Sequence, residues 1–418
     1  MNDDDHDPLR NRISSAAGLP PTNGLAPPEQ LTPDPWIWCD PATIPPRQWL
    51  LGSMLLRGYC TLLSSQGGVG KTSTAINAAL AVITQRRDIC DMHPFVQGAV
   101  WYITLEDDEL ELHRRIAAAM IAHQIQPQAV AGWLYVNHPT LTLLTADRNG
   151  APVLTDHVSQ LANCIKDKGF VLVVIDPLIQ AHNLVENSND HMNAFIAATN
   201  QIARDTGASF LLPHHFHKGG NANATRDAAR GASSLIDGAR IALNLLPMSD
   251  QEAQLLGVKQ PDLFVRLVNA KTNMAPPGND RWFQMKPTNL GNTNLDPAYP
   301  AGDTVQALLP YSPTPLFNGF DRNALANIFN AFANPNTPLS PARQAPNWAG
   351  STICALSDKS PQQASAILKT WISSGVLTVA EYRNDDAKTR SKILLNQPKA
   401  DLILRSLDTN LSSSASLS

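Results

Sequence analysis

Eight consecutive residues, Ser65-Gln66-Gly67-Gly68-Val69-Gly70-Lys71-Thr72, place glycines, a lysine and a hydroxyl in the order that phosphate handling needs. Backbone N–H groups approach an anion closely only where side chains are missing, and Gly67, Gly68 and Gly70 leave that space. A lysine then reaches the β- and γ-phosphates and a hydroxyl reaches Mg²⁺, roles that fall to Lys71 and Thr72. The first position of such a loop is most often Gly. Here it is Ser65, which departs from the strict pattern and stays small. Ser73 opens an amphipathic stretch, Ser73 to Thr84, whose helical N-terminus would aim its dipole at the phosphates. The apolar run Tyr59 to Ser64 reads as a buried strand leading into the loop.

Hydrolysis of a bound triphosphate also needs a carboxylate on the metal side, a group that polarises water, and positive charge at the leaving phosphate. Asp176 follows the apolar run Phe170 to Ile175 and precedes Pro177, so it falls at the C-terminal edge of a sheet, where ligands bind in such folds. Glu106 ends a second buried run and could polarise water; Asp107, Asp108 and Glu109 follow it and suit the first turn of a helix equally well. His214, His215 and His217 cluster at the end of a third strand. No carboxylate or thiol at usual spacing completes a zinc site there, and adjacent strand residues point to opposite faces, so a polar sensor of the γ-phosphate is expected instead. Arg230, Arg240 and Lys271 follow predicted elements and could stabilise phosphoryl charge, in cis or from a neighbouring subunit; singly, each also reads as a solvated surface charge.

The elements that must position these groups alternate between strand and helix from Tyr59 to about Met285, which predicts a mostly parallel sheet covered on both faces. Strands are expected at Gly98 to Leu105, Phe170 to Ile175, Ser209 to Leu212 with an end at Pro213, Ile241 to Leu246, Leu263 to Asn269 and Trp282 to Met285, with a helix at Glu109 to Ala122. Trp36 to Gly58 reads as an apolar lead-in packed on this domain. Residues 1–35 are a polar, Pro-rich arm, 36–286 the ATPase domain, 287–312 an Asn-, Pro- and Gly-rich linker, and 406–418 a disordered tail. Between the last two, residues 313–405 show helical spacing at Arg322 to Ala333 and Pro361 to Ser374. Strand patterns follow at Val376 to Tyr382 and Ser391 to Leu395, flanking the polar turn Arg383 to Lys388, which together suggest a small α+β winged-helix-like domain.

A chain of 418 residues with 43% hydrophobic content can bury the cores of two or three domains. Its five cysteines include no Cys-x-x-Cys pair, so no disulfide framework or zinc site is indicated. The acidic start Met1-Asn2-Asp3-Asp4-Asp5 is unlike a signal peptide and no run is long enough to span a bilayer, so a cytoplasmic protein without membrane association is expected. The formal charge of −4 excludes a broad electrostatic pull on nucleic acid and leaves any such binding to local basic groups.

The ordered set (the phosphate loop, Leu105-Glu106-Asp107, Val174-Ile175-Asp176-Pro177, His214-His215, Arg230-Gly231-Ala232-Ser233 through Arg240, and Lys271-Thr272-Asn273) resembles the RepA-type ATPases, RecA-like hexameric helicases of plasmids and phages. The resemblance spans about Trp36 to Met285. It implies a RecA-like P-loop NTPase fold, ATP and Mg²⁺ as cofactors, and a homo-hexameric ring acting on single-stranded DNA. Within it, Lys71 and Thr72 lie on phosphates and Mg²⁺, Glu106 is the catalytic base, Asp176 the second acid, His215 the sensor, and Arg240, with Lys271, the fingers from a neighbour. The C-terminal module is an addition to the minimal family pattern. Its Lys369, Arg383, Lys388, Arg390 and Lys392 leave open whether it meets origin DNA or a replication protein. A nucleotide-switched initiator that does not unwind DNA is the second functional expectation.

Overall fold

The computed structural model describes residues 33–215, 233–276, 278–293, 298, 300–313, 316–317, 320–383 and 388–404. The expected arm up to residue 32, the segment 216–232 with His217 and Arg230, the turn 384–387 and the tail after 404 lie outside the described residues. The chain divides into two compact units between Arg47 and Gln48. In the first, Asp40 caps the short turn Pro41–Thr43 by accepting from the Ala42 N–H at 2.9 Å, and Trp36 and Trp38 meet edge to face.

The second unit opens on a hairpin, β1 (Trp49–Leu51) and β2 (Leu55–Leu56), whose leucines are buried. Then come β3 (Cys60–Ser65), α1 (Lys71–Thr84), β4 (Val100–Thr104), α2 (Glu109–Ala122) and β5 (Leu134–Asn137). Next are β6 (Leu144–Ala146), β7 (Pro152–Leu154), α3 (Asp156–Lys168), β8 (Leu172–Asp176), β9 (His182–Asn183), α4 (Asn189–Thr206) and β10 (Ser209–His215). The domain closes with α5 (Ser233–Gly238), β11 (Ile241–Pro247), α6 (Asp250–Leu256), β12 (Phe264–Thr272), β13 (Arg281–Asn289) and β14 (Thr304–Tyr311). Nine of these strands form one sheet in the order β14-β13-β12-β11-β3-β10-β8-β4-β5. From β11 to β5 every pairing is parallel, while β12, β13 and β14 join antiparallel. The domain is α/β with a large, mostly parallel central sheet.

Neighbouring residues on the central strands feed two different cores. Leu63, Val174 and Leu211 pack with α1 on one face; Leu62, Val173, Ile175 and Leu212 pack with α3 and α4 on the other. A strand buried on both sides has no charged face to show, which is why β8 reads as an unbroken apolar run up to Asp176 and β3 mixes apolar residues only with small hydroxyls. Each leucine so enclosed contributes about 2 kcal/mol of transfer free energy.

Three expectations need correction. Ser73 to Thr84 reads as amphipathic, yet α1 is buried over almost its whole length, from Thr74 to Ile83. The cover comes from the second correction. The stretch 287–312, expected as a linker, contains the end of β13 and all of β14, the edge strand of the main sheet. Its carbonyl at Leu308 accepts from Asn77 Nδ2 of α1 at 2.7 Å and lies 3.0 Å from the His123 ring. Most of the Asn, Pro and Gly residues belong to the connection between β13 and β14, with Pro287, Asn289 and Pro310 inside the strands, and averaging over the whole stretch conceals the strand pattern that follows. Third, β10 does not stop at Pro213 but runs to His215. Phe210 donates its N–H to Tyr59 of the β3 side and Ser209 to Val171 of the β8 side, so the position of Pro213 turns its missing N–H toward β8. Pairing with β8 ends at Leu211 while pairing with β3 continues to His215, and a proline there removes no ladder bond.

Beyond β14 lies a smaller module: α7 (Arg322–Ala333), α8 (Ala349–Ala355), α9 (Pro361–Ser373) and the hairpin β15 (Leu377–Arg383) with β16 (Thr389–Leu395). It has its own core, with Ile328, Phe329, Ile353 and Ile367 around Trp371. Ile393 donates to the Leu339 carbonyl, so a short extended piece before α8 joins the hairpin. Gln363 ties this module to the domain of the large sheet. Its side-chain carbonyl accepts from Ser360 N–H in a capping box on α9, while its amide donates to the Leu255 carbonyl of α6 at 3.1 Å.

Candidate nucleotide site

The phosphate loop joins β3 to α1, and two of its glycines are needed for backbone reasons: Gly68 at φ +76° and Gly70 at φ +100° lie in the left-handed region. Gly70 is the N-cap of α1 and supplies no side chain to its first turn. The first N–H groups of the helix therefore point outward without a side-chain acceptor, the standard setting for an anion.

Lys71 is the centre of the site and is only 5% exposed. Its Nζ donates to Ser65 Oγ at 3.0 Å and to the Gln66 carbonyl at 3.1 Å, and lies 3.0 Å from His215 Nδ1. Ser65, irregular by sequence, thus holds the lysine with its own hydroxyl while donating to the Gln66 carbonyl. Burial lowers the Lys71 pKa to about 8, opposed by the charges of Asp176 and Glu106. An ammonium has only protons to give, so His215 Nδ1 accepts and the ring proton sits on Nε2. That Nε2 is 3.8 Å from Glu106 Oε2. Burial, then the Lys71 charge, hold His215 below its ordinary pKa, so the ring is neutral near pH 7.

Asp176, at the end of β8, takes two hydrogen bonds on one oxygen: from Thr72 Oγ1 at 2.9 Å and from Tyr102 OH at 2.7 Å. Burial raises its pKa above the ordinary carboxylate value, while these two donors and Lys71 pull it back. The pairing of a carboxylate with a hydroxyl is a set of hard oxygen donors suited to Mg²⁺, and Thr72 and Asp176 are the residues that would hold it. Bound there, the ion supplies positive charge to the phosphoryl oxygens.

The three acids after β4 separate by partner. Asp108 caps α2 by accepting from the Glu111 N–H, Asp107 pairs with Arg115 at 2.9 Å, and Glu106 projects to His215. The structure therefore brings together Ser65, Gln66, Lys71, Thr72, Glu106, Asp176 and His215, with Gly67, Gly68, Val69, Gly70 and Ser73 in the loop and first turn that carry them. His214, the other half of the pair, is turned into the opposite face of the sheet and is 5% exposed. Among the described residues no group of three or more His, Cys, Asp or Glu side chains is placed to hold a metal.

Arg240 and Lys271 stand elsewhere. β11 runs parallel to β3 with Ile241 beside Thr61 and Asn244 beside Ser64, so Arg240 is level with the start of β3, about 16 Å along the strands from Ser65. Lys271 is next to it across the β11–β12 ladder, opposite Ala242, and donates to the Ile236 carbonyl. Both lie at the edge of the sheet remote from the loop of their own chain. Sequence reasoning missed Tyr102. The available signal was a phenol inside a strand otherwise fit for full burial, because a buried tyrosine hydroxyl must find a partner.

Residues 25–221 match the family model of the AAA domain. This part of the chain is accordingly similar to the P-loop ATPase domains of that family. The match contains the phosphate loop, Glu106, Asp176 and His215, and ends before Arg240 and Lys271. No helix among the described residues is long and apolar enough to cross a membrane.

Proposed function

We propose that this chain is an ATP-hydrolysing, ring-forming DNA helicase or translocase of the RepA type, acting in plasmid or phage replication. In this reading Lys71 and the N–H groups of α1 bind the phosphates, Thr72 and Asp176 hold Mg²⁺, Glu106 polarises the attacking water, and His215 reports phosphate occupancy because Lys71 must choose between it and the nucleotide. The observation that carries the proposal is the separation of charges. The site holds one buried cation, while Arg240 and Lys271 lie at the far edge of the same sheet, where they suit the phosphate of an adjacent copy in a ring.

The test measures ATP turnover with and without single-stranded DNA for the wild type, for Lys71→Ala and Arg240→Ala separately, and for the two variants mixed. Shared sites predict two inactive proteins whose mixture recovers activity, together with stimulation by single strands and displacement of a strand from a duplex. Rings that hydrolyse ATP without responding to DNA would refute the helicase reading.

The C-terminal module favours a second reading. In this reading its order of helix, short extended piece, two helices and hairpin serves as a winged-helix-like module, which Gln363 fastens to the sheet domain. A nucleotide-switched initiator would change its affinity for a specific duplex when ATP replaces ADP, and equal binding in both states counts against it.

A further inference from the structure

The junction between α6 and α9 leaves an apolar groove beside the Gln363 contact. Its volume is about 480 Å³, within the range of pockets that receive ligands or partner side chains. Leu255 on α6 forms one wall and is 39% exposed; Leu368 and Ile372 on α9 and Trp348 at the start of α8 form the floor. The charged residues lining it are Arg343, whose guanidinium lies over the Trp348 ring at 5.9 Å, and Lys369, which is exposed on α9. No carboxylate among the described residues lines the groove. An apolar trough with cations and no anion is complementary to a segment that is apolar on one side and acidic at its edge.

We infer that this groove binds an amphipathic acidic peptide segment of a partner protein, with apolar side chains against Leu255 and Ile372 and carboxylates on Arg343 and Lys369. Nucleic acid fits it less well. A helix that reads duplex must protrude into a groove, whereas α6 overhangs this face of α9 and makes it concave. Single strands bind by stacking bases on open rings, and the groove's one ring, Trp348, is only 7% exposed, its other lining residues being aliphatic or polar without a ring to stack on, Pro341 apart. The inference concerns the module's surface and stands independently of the helicase reading.

The full chain is immobilised and used to select from a displayed library of random peptides of about twelve residues, a length that spans the groove as a helix. The expected consensus has apolar residues at helical spacing with Asp or Glu beside them. A synthetic copy should bind the Arg343→Glu, Lys369→Glu double variant about tenfold or more weaker than wild type, and replacing its acids with Lys should restore binding to that variant. Leu255→Ser, which changes no charge, should weaken binding as well, while ATP turnover and the thermal transition of both variants stay at the wild-type value. Selected peptides that are basic, or that bind all forms equally, overturn the inference. So does a selection that yields no groove-dependent peptide, or a single-stranded oligonucleotide that binds in the peptide's stead and is lost with Lys369→Glu.

Discussion

The two edges of the parallel strands hold their charges in opposite ways. At the C-terminal edge Lys71 is buried and bonded to His215, and Asp176 is buried and bonded to Thr72 and Tyr102, so their positions are set before any nucleotide arrives. At the N-terminal edge Arg240 is exposed to solvent. The contrast is between groups paid for by folding and a group that acquires its environment only when something docks against it. A preorganised edge loses function when one member is removed; an open edge loses it only in the reaction that uses the docked partner.

Lys71→Ala should break the enclosed edge most severely, lowering turnover about 10³-fold and weakening binding of a fluorescent ATP analogue as well, since both phosphate contact and site charge go. Arg240→Ala should lower turnover by a comparable or slightly smaller factor, about 10² to 10³, while analogue affinity changes little, because the open edge acts in the transition state of a neighbour. Equal loss of affinity in the two variants would erase the distinction. Tyr102→Phe removes one donor from a buried carboxylate and should cost about 2 kcal/mol in denaturant unfolding, with more Mg²⁺ required for half-maximal analogue binding. An unchanged Mg²⁺ requirement would assign the phenol to stability alone.

The lysine also leaves a signature in pH. Its pKa falls from 10.5 in the open chain to about 8 when folded, so between those values the unfolded state carries a proton that the folded state lacks. Stability from this group therefore rises with pH through that window, and Lys71→Met should flatten the rise when unfolding is followed from pH 7.5 to 10.5. The smallest effect is expected of Ser65→Gly, which restores the usual loop residue and deletes one hydrogen bond to Lys71. Turnover should change by about threefold or less, as measured at saturating ATP.

Most of the enclosed edge was legible because its chemistry is local. A glycine-rich loop between a strand and a helix, and acids directly after apolar runs, are short-range patterns that the parallel sheet then gathers at one end. The cap of α2 is open between Asp107 and Asp108 by sequence, and the fold gives it to Asp108 while Asp107 pairs with Arg115. What escaped depends on distance along the chain. Nothing near Tyr102 says that its hydroxyl meets Asp176, because β4 and β8 become neighbours only in the sheet. Nothing near Arg240 says that it lies far from the loop, because that follows from the parallel register of β11 on β3. The same is true of β14, whose partners Asn77 and His123 lie far back in the chain.

That strand gives the boundary between the two folded parts of the second unit an unexpected location. A shortened protein ending at residue 286 would retain every residue of the nucleotide site and yet strip the lid from α1, leaving Asn77 and the apolar flank of the phosphate-loop helix open to water. The practical unit of ATP chemistry reaches at least to Tyr311, and tension applied to the chain beyond it is delivered through Leu308 to the helix that carries Lys71 and Thr72.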